Sequence, residues 1–441
     1  MKRILYFTFL LLFLTGCKKG EVDLVFGEQP EERMGEKLTE LRSLLTSSEY
    51  GWKAKLLVEK PSAYSFYFKF DDGKSCTMIS DFSNTTSSTP NTSTYRVMWA
   101  MNASLLFDTF NYITMLQEPS GSYGGTAPNG YLSDIEFEYV RSSGDSLIMT
   151  GKKYKVPLLM VKATQAESES YLAGNLTESI EKTKQFFNDN KNSYVSIDSA
   201  GHSYKVAVDL LSQDKTVSLS TITPEKTVKS VSNLFVFDLN GFELGTDSVG
   251  FLGVTFKTAV WEGNKLLMVD DKGAKYEIKN DTQPIIPLNK AIGVKYSSLL
   301  SPYLTYYPGT SAEGLTILKR FHEGLASGAT GYIFNSGYIS FAWDNFNKRI
   351  TLNGFSSQNG GSSGWTTTIV YNFEFDETAE TYTLTKRSNA SGGYTAPILD
   401  QMDNFLLNSK FKLEYHVEDG VTYGKMIGVD RPNVVITFLL R

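Results

Sequence analysis

Tyr64, Phe66, Phe68 and Phe70 occupy alternate positions of one short segment. A period of two puts all four rings on one face of an extended strand, an arrangement no helix offers. Asp72-Gly73 follows at once and predicts a two-residue hairpin turn. The rest of the chain is built from the same material: 28 Phe, 25 Tyr and 36 Gly in 441 residues, which suits strands joined by tight turns. Further strands are predicted at Tyr95 to Ala100, Leu105 to Leu116, Ile135 to Val140, Leu147 to Thr150 and Val156 to Lys162. More follow from Tyr194 through Ile278, then at Tyr332 to Trp343, Arg349 to Asn353, Thr367 to Phe375, Tyr382 to Lys386 and Val434 to Leu440.

Helical periodicity is scarcer. Met34, Leu38, Leu41 and Leu45 form one stripe and predict a helix from Glu31 to Ser48. Leu176, Ile180 and Phe187 share a face in a second stretch that Gly174-Asn175 interrupts. Ile398, Met402 and Phe405 predict a late helix with Pro397 in its first turn. The expected fold class is α+β, mostly antiparallel sheet with a few packing helices. Leu106 to Asn111 is echoed by Val236 to Asn240, which suggests a pseudo-repeated helix-plus-meander unit. At roughly 150 residues per domain, three units are expected beyond the N-terminal segment: 28–165, 166–285 and 286–441, the last boundary marked by Pro284-Ile285-Ile286-Pro287.

Lys2-Arg3 precedes an apolar run from Ile4 to Leu14, too short for the ~20 residues of a membrane-spanning helix but the length of a signal-peptide core. The run ends in Leu14-Thr15-Gly16-Cys17, which resembles the lipobox of bacterial lipoproteins. That resemblance implies cleavage after residue 16, acylation of Cys17 and a tether over 17–27. With Cys17 carrying lipid, Cys76 has no intramolecular partner and is expected to be buried in a strand.

Composition excludes several functions. A net charge of −5 leaves no basic footprint for nucleic acid. The three histidines, His202, His322 and His416, are far apart and lack zinc-ligand spacing, so neither a metal nor another cofactor is expected. Asp238, Asn240 and Glu243 fit a turn between strands as well as a calcium loop. No nucleophile elbow or phosphate-binding loop is present. A pair of carboxylates acting on glycans stays open as an alternative, because sequence does not reveal their separation. Binding is the easier chemistry to place. Long loops are expected at Ser83 to Thr94, Gly121 to Gly130 and Gly354 to Gly364. Tyr123 and Tyr131 flank the second, Phe355 and Trp365 the third. Exposed rings beside Asn and Ser suit sugar stacking; the same rings turned inward would be core plugs.

The N-terminal block also resembles a family of Bacteroidetes lipoproteins with a domain of unassigned function. The match rests on Glu32-Arg33-Met34, Gly51-Trp52, Phe68-Lys69-Phe70, Tyr95, Leu106-Phe107-Asp108-Thr109-Phe110-Asn111, Glu118-Pro119, Asp134-Ile135-Glu136-Phe137 and Gly151-Lys152-Lys153. It covers the first third of the chain. The resemblance implies an outer-membrane lipoprotein, on its periplasmic or cell-surface face, accessory to nutrient importers of the SusC and SusD kind. It implies no catalytic residues. The expected role is non-enzymatic capture of glycan or of an importer protein, with a structural, adhesin-like surface protein as another alternative.

Overall fold

The computed structural model describes residues 30–58, 62–245, 248–391 and 395–441. The signal segment, Cys17 and the tether therefore lie outside the described residues. The chain divides into two compact units, 1–177 and 178–441. Both are mostly antiparallel β with packed helices, an α+β organisation.

In the first unit, helix α1 (Pro30–Thr46) buries Leu41 and Leu45 completely, the stripe its periodicity predicts. Trp52 Nε1 donates to the Leu45 carbonyl at 2.8 Å and ties the helix end to the first strand. The turn between them needs Gly51, whose φ is +77° and whose added Cβ would lie 2.5 Å from the Phe68 carbonyl oxygen. Eight strands then pair in sequence order, and the last, Pro157–Lys162, returns to the first, Trp52–Val58, closing a barrel. Phe66, Phe68, Phe70, Phe107 and Phe137 fill its interior, so it is a packed core and not a channel. Cys76 sits in that core, fully buried.

Antiparallel order puts the turns at 71–74 and 100–102 at one end of this barrel, where α1 lies and Arg42 Nη2 donates to the Val97 carbonyl at 3.3 Å. Phe82, Ile113, Leu116 and Tyr131 plug the other end. The outer face of the strand Ser62–Phe70 is covered too: Tyr67 stacks on Tyr171 of helix α3 (Gln165–Leu172) at 5.1 Å.

Local details depart from expectation. Ser83 to Thr94 is no loop: Ser83 caps the short helix α2 (Asn84–Ser88) through a capping box, Thr86 and Ser87 are buried, and a strand begins at Asn91. The strand expected to reach Leu116 ends at Phe107, and a 3-10 turn occupies Thr114–Gln117. Asp72-Gly73 sits in a three-residue loop, because Asp71 N–H bonds the Ser75 carbonyl and the left-handed residue is Lys74.

Helix α4 (Asn175–Asp189) spans the boundary at residues 177 and 178, and its Leu176 and Ile180 are buried. Trp261 Nε1 donates to Thr183 Oγ1 at 3.0 Å and fixes it to a sheet spanning Ser193 to Asn280. The two ends of that sheet are Lys275–Glu277, paired to Lys265–Asp270, and Lys279–Asn280, paired to Ser193–Ser199. Ile278 alone separates them. One short stretch thus passes from the last strand to the first and brings the sheet round upon itself.

After helix α5 (Leu288–Ala291) a second closed barrel of eight strands runs from Ser298–Pro302 to Val435–Leu440. Its core takes Ile317, Leu318, Phe321 and Leu325 from helix α6 (Ala312–Ala326) and Met402, Phe405 and Leu406 from helix α7 (Asp400–Asn408). Helix α6 is absent from the sequence expectation, although Ser311 caps it and its apolar residues recur at helical spacing. Pro397 lies in the 3-10 turn before α7 instead of in its first turn.

Candidate functional site

One rim of the second barrel carries an exposed aromatic surface. Trp365 lies next to the start of the strand Gly364–Asp376 and pairs with Ser356 across the sheet. Ser356 is buried, and cross-strand partners share a face. Trp365 therefore heads the inward row that continues through Thr367, Ile369 and Tyr371, but at the rim its ring is 41% exposed. Phe334, buried, lies with its centroid 6.2 Å from that of Trp365. Tyr332, 46% exposed, is also 6.2 Å from Phe334.

Phe334 is thus a buried base for two exposed rings. Backbone bonds hold it: its N–H donates to the Leu325 carbonyl at 2.9 Å, and its carbonyl accepts from Tyr303 Oη at 3.1 Å. Two segments meet here and are stitched together. Asn335 Oδ1 accepts from Gly360 N–H at 2.9 Å, and Gln358 Nε2 donates to the Ile333 carbonyl at 3.4 Å.

Charge is missing where these segments meet. Residues 324–343 and 350–373 contain no Asp, Glu, Lys, Arg or His, in a chain that is 21% charged. Exposed ring faces beside amides and hydroxyls, on two segments that carry no ionic group, suit an uncharged, polyhydroxylated ligand. Its C–H faces would pack on the rings while its hydroxyls take the amides.

The residues singled out in the sequence separate in space. Phe355 is one residue out of register with Ser356 and faces outward, stacked on its cross-strand partner Tyr338 at 5.0 Å and 16°. Phe355 and Trp365 consequently lie on opposite faces of the sheet, although they flank the same turn. Tyr131 is a core plug, edge-on to Tyr64 at 5.7 Å and Phe82 at 5.8 Å. Tyr123 is exposed and pairs instead with Phe110 at 6.0 Å. The sequence conceals Tyr332 and Phe334, because Tyr332-Ile333-Phe334 reads as the beginning of a strand, which in fact starts at Ser336.

Other chemistry is accounted for structurally. Among the described residues no group of three His, Cys, Asp or Glu is arranged to hold a metal. The buried carboxylates serve backbone donors: Asp81 accepts from Ser65 N–H at 2.9 Å, Asp134 from Lys153 N–H at 2.7 Å, and Asp270 from Ala274 N–H at 2.7 Å. Ser301 Oγ lies 3.0 Å from His322 Nε2, the spacing of a nucleophile and its base. Both residues are wholly inaccessible, and among the described residues His322 Nδ1 has no hydrogen-bond partner to orient the ring. Burial pushes the His322 pKa down to about 4, so the imidazole is a neutral core group. His416 Nε2 pairs with Glu418 at 2.9 Å. A cleft of about 460 Å³ beside α4 is lined by Lys184, Phe187, Lys191 and Asp209, but Asp209 is held by Lys295 at 2.8 Å.

Residues 22–263 match a family model described as a domain of unknown function, DUF4302. The match runs past the first barrel and far into the next sheet, well beyond the first third of the chain. No curated protein matches the chain.

Proposed function

The chain belongs to the DUF4302 family of domains of unknown function, and from that premise we propose that it is a lipid-anchored outer-membrane lipoprotein that captures neutral glycan without cleaving it. The rim of Trp365 and Tyr332 over Phe334 carries the reading, as an aromatic surface with amide neighbours on two segments that carry no charge. It lies outside the residues the family model matches, so the glycan specificity belongs to this chain's C-terminal barrel. The lipobox at Cys17 supports the anchor, and the same reading puts the protein beside importers of the SusC and SusD kind in Bacteroidetes. No helix among the described residues is long and apolar enough to cross a membrane; in this proposal the acyl chains on Cys17 supply the attachment.

We divide the chain into three units, 28–165, 166–285 and 286–441, so that the sheet of Ser193 to Asn280 is a unit of its own beside the two barrels in the chain order. Hydrolysis has less support, because the buried carboxylates named above are taken up by backbone N–H groups. The test is electrophoresis of the protein in native gels containing neutral or acidic polysaccharides, with the same mixtures assayed for released sugar. Retardation by neutral polysaccharide without products is the expected outcome. Released products would restore the hydrolase reading, and no retardation by any polysaccharide would overturn glycan capture and favour an importer protein as the partner.

A further inference from the structure

The first barrel presents an apolar edge at the end where α1 begins. The hairpin turn at 100–102 carries Met101, 85% exposed, with a φ of +75°. Glycine or asparagine is the ordinary residue for that conformation, so this turn bears both backbone strain and an exposed thioether, and neither serves the packing of the barrel. Met98 and Val140, 36% and 52% exposed, lie on the adjoining strands. Between them and the first turns of α1 runs a cleft of about 520 Å³, where the apolar Met34, Trp99, Ala103 and Val140 lie beside Arg33, Lys37, Asn102 and Tyr139. The far end of the barrel is closed by its own rings and has no such edge against α1.

We infer that this edge rests in the lipid surface to which the chain is anchored, with Met101 and Met98 entering the headgroup boundary. The inference rests on the lipoprotein reading of Cys17. Twelve residues lie between Cys17 and Pro30, a reach of roughly 45 Å at full extension, and they lead directly into the helix that borders the cleft. Unbranched, polarizable methionine side chains adapt to an irregular apolar medium. We take the exposed apolar residues to carry the contact, with Lys37 of the cleft already paired with Glu40 at 2.8 Å. Its strength should therefore change little with salt, unlike that of a polybasic surface.

The experiment uses the full-length acylated protein in phosphatidylethanolamine/phosphatidylglycerol vesicles. An environment-sensitive fluorophore is attached at Met101→Cys or, as a control at the opposite end of the barrel, at Asn129→Cys. Native Cys76 is fully buried and its thiol pKa is raised by burial, so it does not compete for label. Flotation of the vesicles reads the anchor, and quenching reads the edge. At Met101→Cys the label should be quenched at least threefold more by doxyl-lipid than at Asn129→Cys, and shielded from aqueous iodide, at low and high salt alike. Equal access of iodide to both labels on floating protein overturns this inference alone. Failure to float overturns the anchor and this inference together. Quenching by lipid that is lost at high salt would overturn the apolar contact.

Discussion

His322 Nε2 and Ser301 Oγ meet at 3.0 Å inside the second barrel, where His322 is ringed by Tyr303, Tyr306 and Phe321. Among the described residues no charge compensates a proton on this imidazole, and its Nδ1 has no partner. Its pKa falls to about 4 from an ordinary 6.5. The folded state therefore binds fewer protons than the unfolded chain between those values. This residue's contribution is complete above about pH 6.5 and is lost as pH falls towards 4, to a limit of about 3 kcal/mol. Urea midpoints of the native protein should fall across that window, and His322→Gln should flatten the slope. An unchanged slope in the variant would exclude His322 as the source.

Gly314 offers a test in which the usual sign reverses. Replacing a helical glycine by alanine ordinarily gains about 1 kcal/mol. In α6, however, the added Cβ would lie 2.0 Å from the Val435 carbonyl oxygen and 2.8 Å from its carbon, because the helix packs its first turn directly on the last strand. Gly314→Ala should destabilise the protein by about 1–3 kcal/mol. A melting temperature equal to or above that of the native chain would refute this packing.

Glycan capture makes its own demand on the rim. Trp365→Ala and Tyr332→Ala should each weaken retardation by neutral polysaccharide about tenfold, or ~1.4 kcal/mol. Both rings are more than two-fifths exposed, so stability should change by no more than about 0.5 kcal/mol. Phe355→Ala, on the opposite face, should leave binding intact. Loss of binding in that variant and not in the other two would move the site to the outer face.

The anchor is the simplest prediction to check. Cys17→Ala should shift the protein from the membrane fraction to the soluble fraction, since two or more acyl chains are needed to hold a domain on a bilayer stably. Retention of the variant after alkaline and high-salt washing would end the lipoprotein reading.

Much of this molecule can be read from the order of its residues, where one strand or one helix face decides the matter. The alternation from Tyr64 to Phe70 became a strand whose inward rings build the first core. The stripe of Leu41 and Leu45 became the buried face of α1, and Cys76 lies buried in a strand as expected. These outcomes rest on side-chain direction along the backbone, a local property with periods of 2.0 and 3.6 residues. Helix α6 was legible on the same grounds, through Ser311 and the spacing of Ile317, Phe321 and Leu325, yet went unrecognised between two strand-rich blocks.

Tertiary structure alone decided how the elements join. Nothing in Lys275 to Asn280 announces that one stretch will pair two different strands on either side of Ile278. Nor does the sequence show that Tyr332 and Trp365 will meet over Phe334 while Phe355, ten residues from Trp365, turns away. A single step in register reverses the face a side chain occupies. Register across a closed barrel depends on hydrogen bonds between segments far apart in the chain, so it emerges only when the whole sheet has closed.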